Sequence, residues 1–127
     1  MAVNARVRAG VVGTGHMGQY HVLVYAELPD VELVGVADID AERGHSVAAR
    51  YETRAFTDHR QLIGLVDVAS VAVPTEEHFR VTHDLLEAGI SVLVEKPMTP
   101  TIEEARELMA VSQRTGAVLH EIGRAHV

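Results

Sequence analysis

Val11-Val12-Gly13-Thr14-Gly15-His16-Met17-Gly18 is the stretch on which the reading of this chain turns. Its glycines are spaced G-x-G-x-x-G, directly after a first strand, Arg6 to Val12, buried at its end, and at the opening of a helical pattern, Met17 to Leu28. In that context each glycine has a separate task. The first permits a tight strand-to-helix turn, the second lets a pyrophosphate approach the backbone, and the third allows the helix to pack closely on the strand. An anion would rest on the free N–H groups and positive end of the helix. Gly13, Gly15 and Gly18 are therefore candidate cofactor-binding residues, with His16 and Met17 carried in the same loop. The competing reading is a glycine-rich turn without a ligand, and the rest of the chain weighs against it.

Outward from this loop, strand-length apolar runs alternate with helical patterns, the mark of successive βαβ units. Val31 to Asp38 reads as a second strand, and Asp40 can cap a helix from Ala41 to Tyr51. Arg54 to Thr57 is a short third strand before a helical turn at Asp58 to Ile63. Val68 to Val73 is so continuously apolar that both faces must be covered, as in a central parallel strand. Thr75 is expected to cap a helix from Glu76 to Ala88, and Ser91 to Glu95 forms a fifth strand. Thr101 and Glu104 form a capping box for a helix ending at Gly116, and Ala117 to His120 begins a sixth strand. The expected architecture is a doubly wound parallel α/β sheet of the Rossmann type, strand order 3-2-1-4-5-6, with right-handed crossovers.

Composition narrows the possible functions. The 127 residues allow one domain, and 47% hydrophobic with 23% charged residues is ordinary for a globular chain. Eleven Lys and Arg against 18 Asp and Glu give a net charge of −7, a poor match for a phosphate backbone, so no nucleic-acid partner is expected. With no Cys there is no disulfide, thiolate nucleophile or Cys-based zinc site. The longest uncharged stretch, Ala9 to Ala26, holds four Gly and two His and does not suit a membrane span, and Met1 to Arg8 lacks the apolar run of a signal peptide. A soluble, cytoplasmic protein without membrane association is expected. Of the eight His, His16 with His21 and His78 with His83 are spaced i, i+5, which turns their rings about 140° apart on a helix. No metal site is expected from that spacing.

Two further features carry chemistry. Asp38 ends the second strand, twenty positions past Gly18, where a carboxylate accepts hydrogen bonds from the adenosine ribose and repels a 2′-phosphate. NAD is therefore favoured over NADP as cofactor, although Asp38 could instead serve only as a turn cap. Glu95-Lys96-Pro97 ends the fifth strand, and ligands of open α/β sheets bind in the crevice beyond the strand C-termini. Lys96 is thereby placed at the cofactor mouth, with Pro97 steering it out of the helical region, and can bind a substrate hydroxyl. The alternative is a strand-ending lysine in a surface turn. A methyltransferase, which would share a glycine-rich first loop, usually carries an acidic residue just before the glycines, where this chain has Val11 and Val12.

Taken together, the glycine loop, Val36-Ala37-Asp38, Val73-Pro74-Thr75 with His78, and Glu95-Lys96-Pro97 resemble the Gfo/Idh/MocA oxidoreductase family over residues of about 6 to 120. Within it, Gly15-His16-Met17-Gly18 with His21, and Val94 before Glu95-Lys96-Pro97, look most like the UDP-N-acetylglucosamine 3-dehydrogenase branch. The resemblance implies an NAD(P)-binding Rossmann domain followed by a second α/β domain, oxidising or reducing a carbinol carbon on sugars, inositols or nucleotide sugars. It implies that Gly13, Gly15 and Gly18 hold the pyrophosphate and Asp38 the ribose, that Pro74, Thr75 and His78 lie near the cofactor, and that Lys96 contacts the reacting hydroxyl. Glu95 and Pro97 are implied to position that lysine. An Asp and an acid/base His of the second domain complete the family's catalytic group, and the full-length protein is expected to be a homo-oligomer acting on a small-molecule sugar or polyol.

The expected division is a Rossmann domain over residues 1–120 and a non-native tail over 121–127. Ile122 to Val127 can be encoded by ATC GGA AGA GCA CAC GTC, the start of a common sequencing adapter whose next triplet, TGA, is a stop. The chain as given is then expected to bind cofactor without turnover. A non-catalytic dinucleotide-binding module or redox sensor is the alternative function, and Lys96 at the cofactor mouth favours the enzyme.

Overall fold

The computed structural model describes residues 6–122. Its strands are β1 (Val7–Val12), β2 (Val31–Ala37), β3 (Arg54–Phe56), β4 (Val68–Val71), β5 (Ser91–Glu95) and β6 (Leu119–Ile122). The α-helices are α1 (His16–Glu27), α2 (Ala41–Arg50), α3 (His78–Glu87) and α4 (Ile102–Thr115). All strands pair in parallel in the order β3-β2-β1-β4-β5-β6, the expected Rossmann arrangement.

Strand alternation divides the interior into two layers. Val11 and Val36 face one side and pack with Val22 of α1 and Val47 and Ala48 of α2. Val12, Ala37, Val71, Val92 and Val94 face the other side, against Leu85 and Leu86 of α3 and Leu108 and Val111 of α4. Burying a Val or Leu side chain fully contributes about 1.5–3 kcal/mol, so both helical layers are held by the hydrophobic effect. The central strands are covered on both faces, as the unbroken run at 68–73 requires.

Local signals explain two of the four α-helix starts among the described residues. The Asp40 side chain accepts the Arg43 N–H at 3.1 Å, and the Thr101 hydroxyl accepts the Glu104 N–H at 3.1 Å. The helix after β4 differs from expectation. Pro74 opens a 3₁₀ turn over Thr75–Glu77, with Glu77 N–H donating to the Pro74 carbonyl at 2.8 Å, and the α-helix proper starts at His78. Thr75 makes no side-chain cap, because the tighter turn puts it inside the helical run rather than ahead of it. A capping box that the sequence reading missed, Asp58 with Gln61, opens the turn at His59–Leu62.

The sixth strand begins two positions later than expected, since Ala117 and Val118 leave the helix through bonds to Thr115 and Ser91 side chains at 3.3 and 3.0 Å. Glu121 and Ile122 lie in β6, in register with Val94 and Glu95. The remainder of the expected tail, 123–127, lies outside the described residues. No described helix is long and apolar enough to cross a membrane.

Candidate functional site

The carboxyl ends of β1, β2, β3 and β4 open on one cleft of about 790 Å³, at the point where the chain reverses its direction of winding between β1 and β4. Gly13, Gly15, Met17, Asp38 and Pro74 line it among the residues expected from sequence, joined by Arg43. Gly18, His16, Thr75, His78, Glu95, Lys96 and Pro97 are not on its wall.

The three glycines answer different demands. Gly13 has φ +93°, its N–H donates to the Ala37 carbonyl at 2.8 Å, and a Cβ on it would stand 2.6 Å from the Ala72 carbonyl oxygen. A Cβ on Gly18 would overlap the Gly13 carbonyl oxygen. Both are required by the turn and by the packing of α1 on the sheet. Gly15 is not: its φ is −73°, and a Cβ there would meet nothing closer than Arg43 Nη1 at 4.0 Å. The fold therefore leaves open space above Gly15, and it leaves α1 without a side-chain cap or an acidic residue in its first turn. The first N–H groups of that helix remain available to an anion. A pyrophosphate fits this cradle, which a Cβ would narrow.

Asp38 follows β2, and its side chain is only 3% exposed. Oδ2 accepts the Thr14 N–H at 2.8 Å, the Thr14 hydroxyl, and Arg43 Nε at 3.0 Å. Oδ1 accepts the Asp40 N–H at 2.8 Å. Burial pushes the Asp38 pKa up, but the bonds from Thr14, Asp40 and Arg43 outweigh it and hold the group below the usual carboxylate value. The carboxylate is thus charged, fixed and placed on the cleft wall. Gly44 of α2 makes room for it, since a Cβ there would stand 3.2 Å from Asp38 Cβ. Thr14, Arg43 and Gly44 were not singled out by sequence. Thr14 occupies a variable position of the glycine motif, and the one available signal was a cation in the first turn of α2, five positions past Asp38.

Beyond β5, Glu95 Oε2 lies 2.8 Å from His21 Nε2 on α1. Lys96 is exposed and has no hydrogen-bond or ion-pair partner among the described residues. The Lys96–Pro97 peptide is cis. His78 is 2% exposed, with Nδ1 2.8 Å from the Pro97 carbonyl oxygen and Nε2 2.9 Å from that of Val73. His16 lies on the other side of α1, beside Tyr20, Leu23 and Tyr51. The opposite directions of His16 and His21 follow from their i, i+5 spacing.

A parallel doubly wound sheet with an open glycine cradle and a buried carboxylate at the next strand end is a dinucleotide-binding Rossmann domain. The sequence model described as "Oxidoreductase family, NAD-binding Rossmann fold" matches residues 7–122. The chain belongs to the Gfo/Idh/MocA oxidoreductase family, of which it contains the NAD-binding domain. It is 41% identical over 113 residues to a UDP-N-acetylglucosamine 3-dehydrogenase of Acidithiobacillus ferrooxidans, a match covering 89% of this chain and 36% of that protein. The crystal structure of that organism's enzyme superposes with a TM-score of 0.87 at 40% identity, over 91% of this chain and 38% of the other. GenD2 from gentamicin A biosynthesis, solved in complex with NAD, superposes at 0.88 with 34% identity, over 91% of this chain and 34% of the other. An inositol 2-dehydrogenase of Saccharopolyspora erythraea is 34% identical over 120 residues, 92% of this chain and 36% of that protein. The chain thus spans little more than a third of the length of these relatives.

Proposed function

We propose that this chain is the cofactor-binding portion of an NAD-dependent oxidoreductase that acts on a hydroxyl of a sugar, inositol or nucleotide sugar. The observation that carries the reading is the pairing of an open cradle at Gly15 with the charged, fixed carboxylate of Asp38 on the same cleft. Relatives named for dehydrogenation of a nucleotide sugar and of inositol support the substrate class.

In this reading Gly13, whose own N–H is taken by Ala37, sets the turn, the segment Gly15, His16, Met17 and Gly18 presents the free N–H groups at the start of α1 to the pyrophosphate, and Asp38 accepts from the ribose hydroxyls. Pro74 forms the edge of the cleft at the end of β4, with Thr75 next to it in the chain but off the wall. Bound NAD supplies the hydride acceptor when a carbinol carbon is oxidised. Lys96 donates a hydrogen bond to the substrate hydroxyl, favouring transfer of its proton to the acid/base His of the second domain as the C–H hydride departs to the nicotinamide. Glu95, held by His21, and Pro97, held by His78, keep Lys96 at the mouth. The protein acts in the cytoplasm on a small molecule, as a homo-oligomer when full length, without a nucleic-acid partner.

Titrating the 127-residue chain with NADH and following nicotinamide fluorescence tests the cofactor assignment. Saturable binding displaced by NAD is expected. A linear, non-saturating response would remove the cleft from this role.

A further inference from the structure

Lys96 leaves β5 next to a carboxylate and does not pair with it. Side chains alternate along the strand: Val92 and Val94 enter the layer under α3 and α4, so Glu95 points to the α1 side. There its Oε2 lies 2.8 Å from His21 Nε2, and the Glu95 and His21 side chains are only 23% and 13% exposed. The carboxylate of Glu121 on β6, in register with Val94, is also taken, accepting the Met98 N–H at 2.7 Å. Lys96, in the bend after β5, stays exposed and without a partner among the described residues.

The contact from His21 does not depend on the charge of the ring. An imidazole with its proton on Nε2 donates to Glu95, and an imidazolium donates more strongly. Glu95, by contrast, needs a donor, since a mostly buried carboxylate left without one is destabilised. Lys96 is the cation next to it in the chain, on a flexible four-carbon stem. It stands past the end of β5, where the pleat no longer holds neighbouring side chains on opposite faces. Without His21, the ammonium of Lys96 is the donor that Glu95 draws in, and it leaves the cofactor mouth.

We infer that His21 is a positioning residue for Lys96: by occupying Glu95 it keeps that carboxylate from capturing the lysine beside it, and so leaves the ammonium free for a substrate hydroxyl. The inference rests on the proposed role of Lys96 for its catalytic consequence, while the pairing itself is read on the chain without substrate.

Lys96 is the only lysine of the chain, so its amine and the N-terminal α-amino group are the two sites for an acetylating N-hydroxysuccinimide ester. Peptide mass spectrometry at fixed pH then gives the Lys96 rate with the α-amino rate as an internal reference. An ammonium held by a carboxylate reacts more slowly, and His21→Leu is expected to slow Lys96 about threefold. His21→Gln, whose amide N–H still donates to Glu95, and Glu95→Gln are each expected to stay within about 1.5-fold of the unaltered chain. The double variant His21→Leu with Glu95→Gln is expected to recover the unaltered rate, a rescue that a merely structural role of His21 does not give. Circular dichroism checks folding, and His21→Phe, which also lacks a donor, takes the place of the leucine variant if that chain does not fold. An unchanged rate in the folded apolar variant, a slow rate that persists in the double variant, or a threefold gain in Glu95→Gln alone would overturn the inference. The rates are read without cofactor, so they stand apart from the dinucleotide reading, which NADH titration tests separately.

Discussion

His78 joins the end of β4 to the bend that carries Lys96: its Nδ1 lies 2.8 Å from the Pro97 carbonyl oxygen, while its Nε2 lies 2.9 Å from that of Val73. The ring is 2% exposed, so removing the side chain leaves a buried cavity faced by two carbonyl oxygens. His78→Ala is expected to lower stability by about 2–4 kcal/mol, combining a cavity with unsatisfied buried carbonyls. His78→Gln, able to donate to one of the carbonyls, should recover part of the loss. Urea unfolding of the three proteins measures this. A loss below about 0.5 kcal/mol for the alanine variant is what a surface position would give.

Gly15 and Gly18 separate folding from binding. Gly18→Ala overlaps the Gly13 carbonyl oxygen, whose carbon and backbone are fixed, and is expected to cost about 3 kcal/mol or more. Gly15→Ala is expected to fold as the unaltered chain does and to lose about tenfold or more in NADH affinity, because its Cβ occupies only the open cradle. Thermal melts paired with NADH titrations distinguish the two. A folded Gly15→Ala chain with unchanged affinity would move the pyrophosphate elsewhere.

Stability should fall on the acid side. Burial raises the Asp38 pKa, but the bonds from Thr14, Asp40 and Arg43 leave it lowered overall. Arg60 likewise lowers Asp58, Arg8 lowers Asp67, and Arg114 lowers Glu87. A carboxylate held below its unfolded value stabilises the fold above that value, near about pH 4, and loses its contribution as the pH falls through the lower folded value. The exposed pairs add little, so Asp38 should dominate. The melting temperature is expected to drop between about pH 5 and pH 2, and more shallowly in Asp38→Asn. Parallel slopes for the two chains would assign the acid transition to other groups.

Catalytic turnover by these 127 residues alone is not expected. Holding a reacting carbon at near-attack distance accounts for about 7–11 kcal/mol of barrier reduction in favourable cases, and a general base adds about 10²- to 10⁴-fold. Lys96, exposed and without a partner among the described residues, supplies neither by itself. Incubation with NAD and a panel of inositols, hexoses and UDP-sugars should give no rise in nicotinamide absorbance. Turnover that disappears in Lys96→Ala would place a complete catalytic group on this chain.

The sequence by itself determined the order of strands and helices, the glycine turn and the carboxylate at the end of β2, because these depend on local periodicity and fixed spacing. Runs such as Val68 to Val71 and caps such as Asp40 carry their structure in neighbouring residues. Tertiary structure decided which groups meet. Gly13 must lack a Cβ because the carbonyl of Ala72, just past the end of β4, faces it, and Glu95 is held by His21, 74 positions away. Arg43, though half exposed, pairs with Asp38, and His78 is buried between two carbonyls rather than lining the cleft. Polar side-chain direction has no period along a chain; it is set by whichever acceptor or charge the packed sheet and helices bring within hydrogen-bond reach.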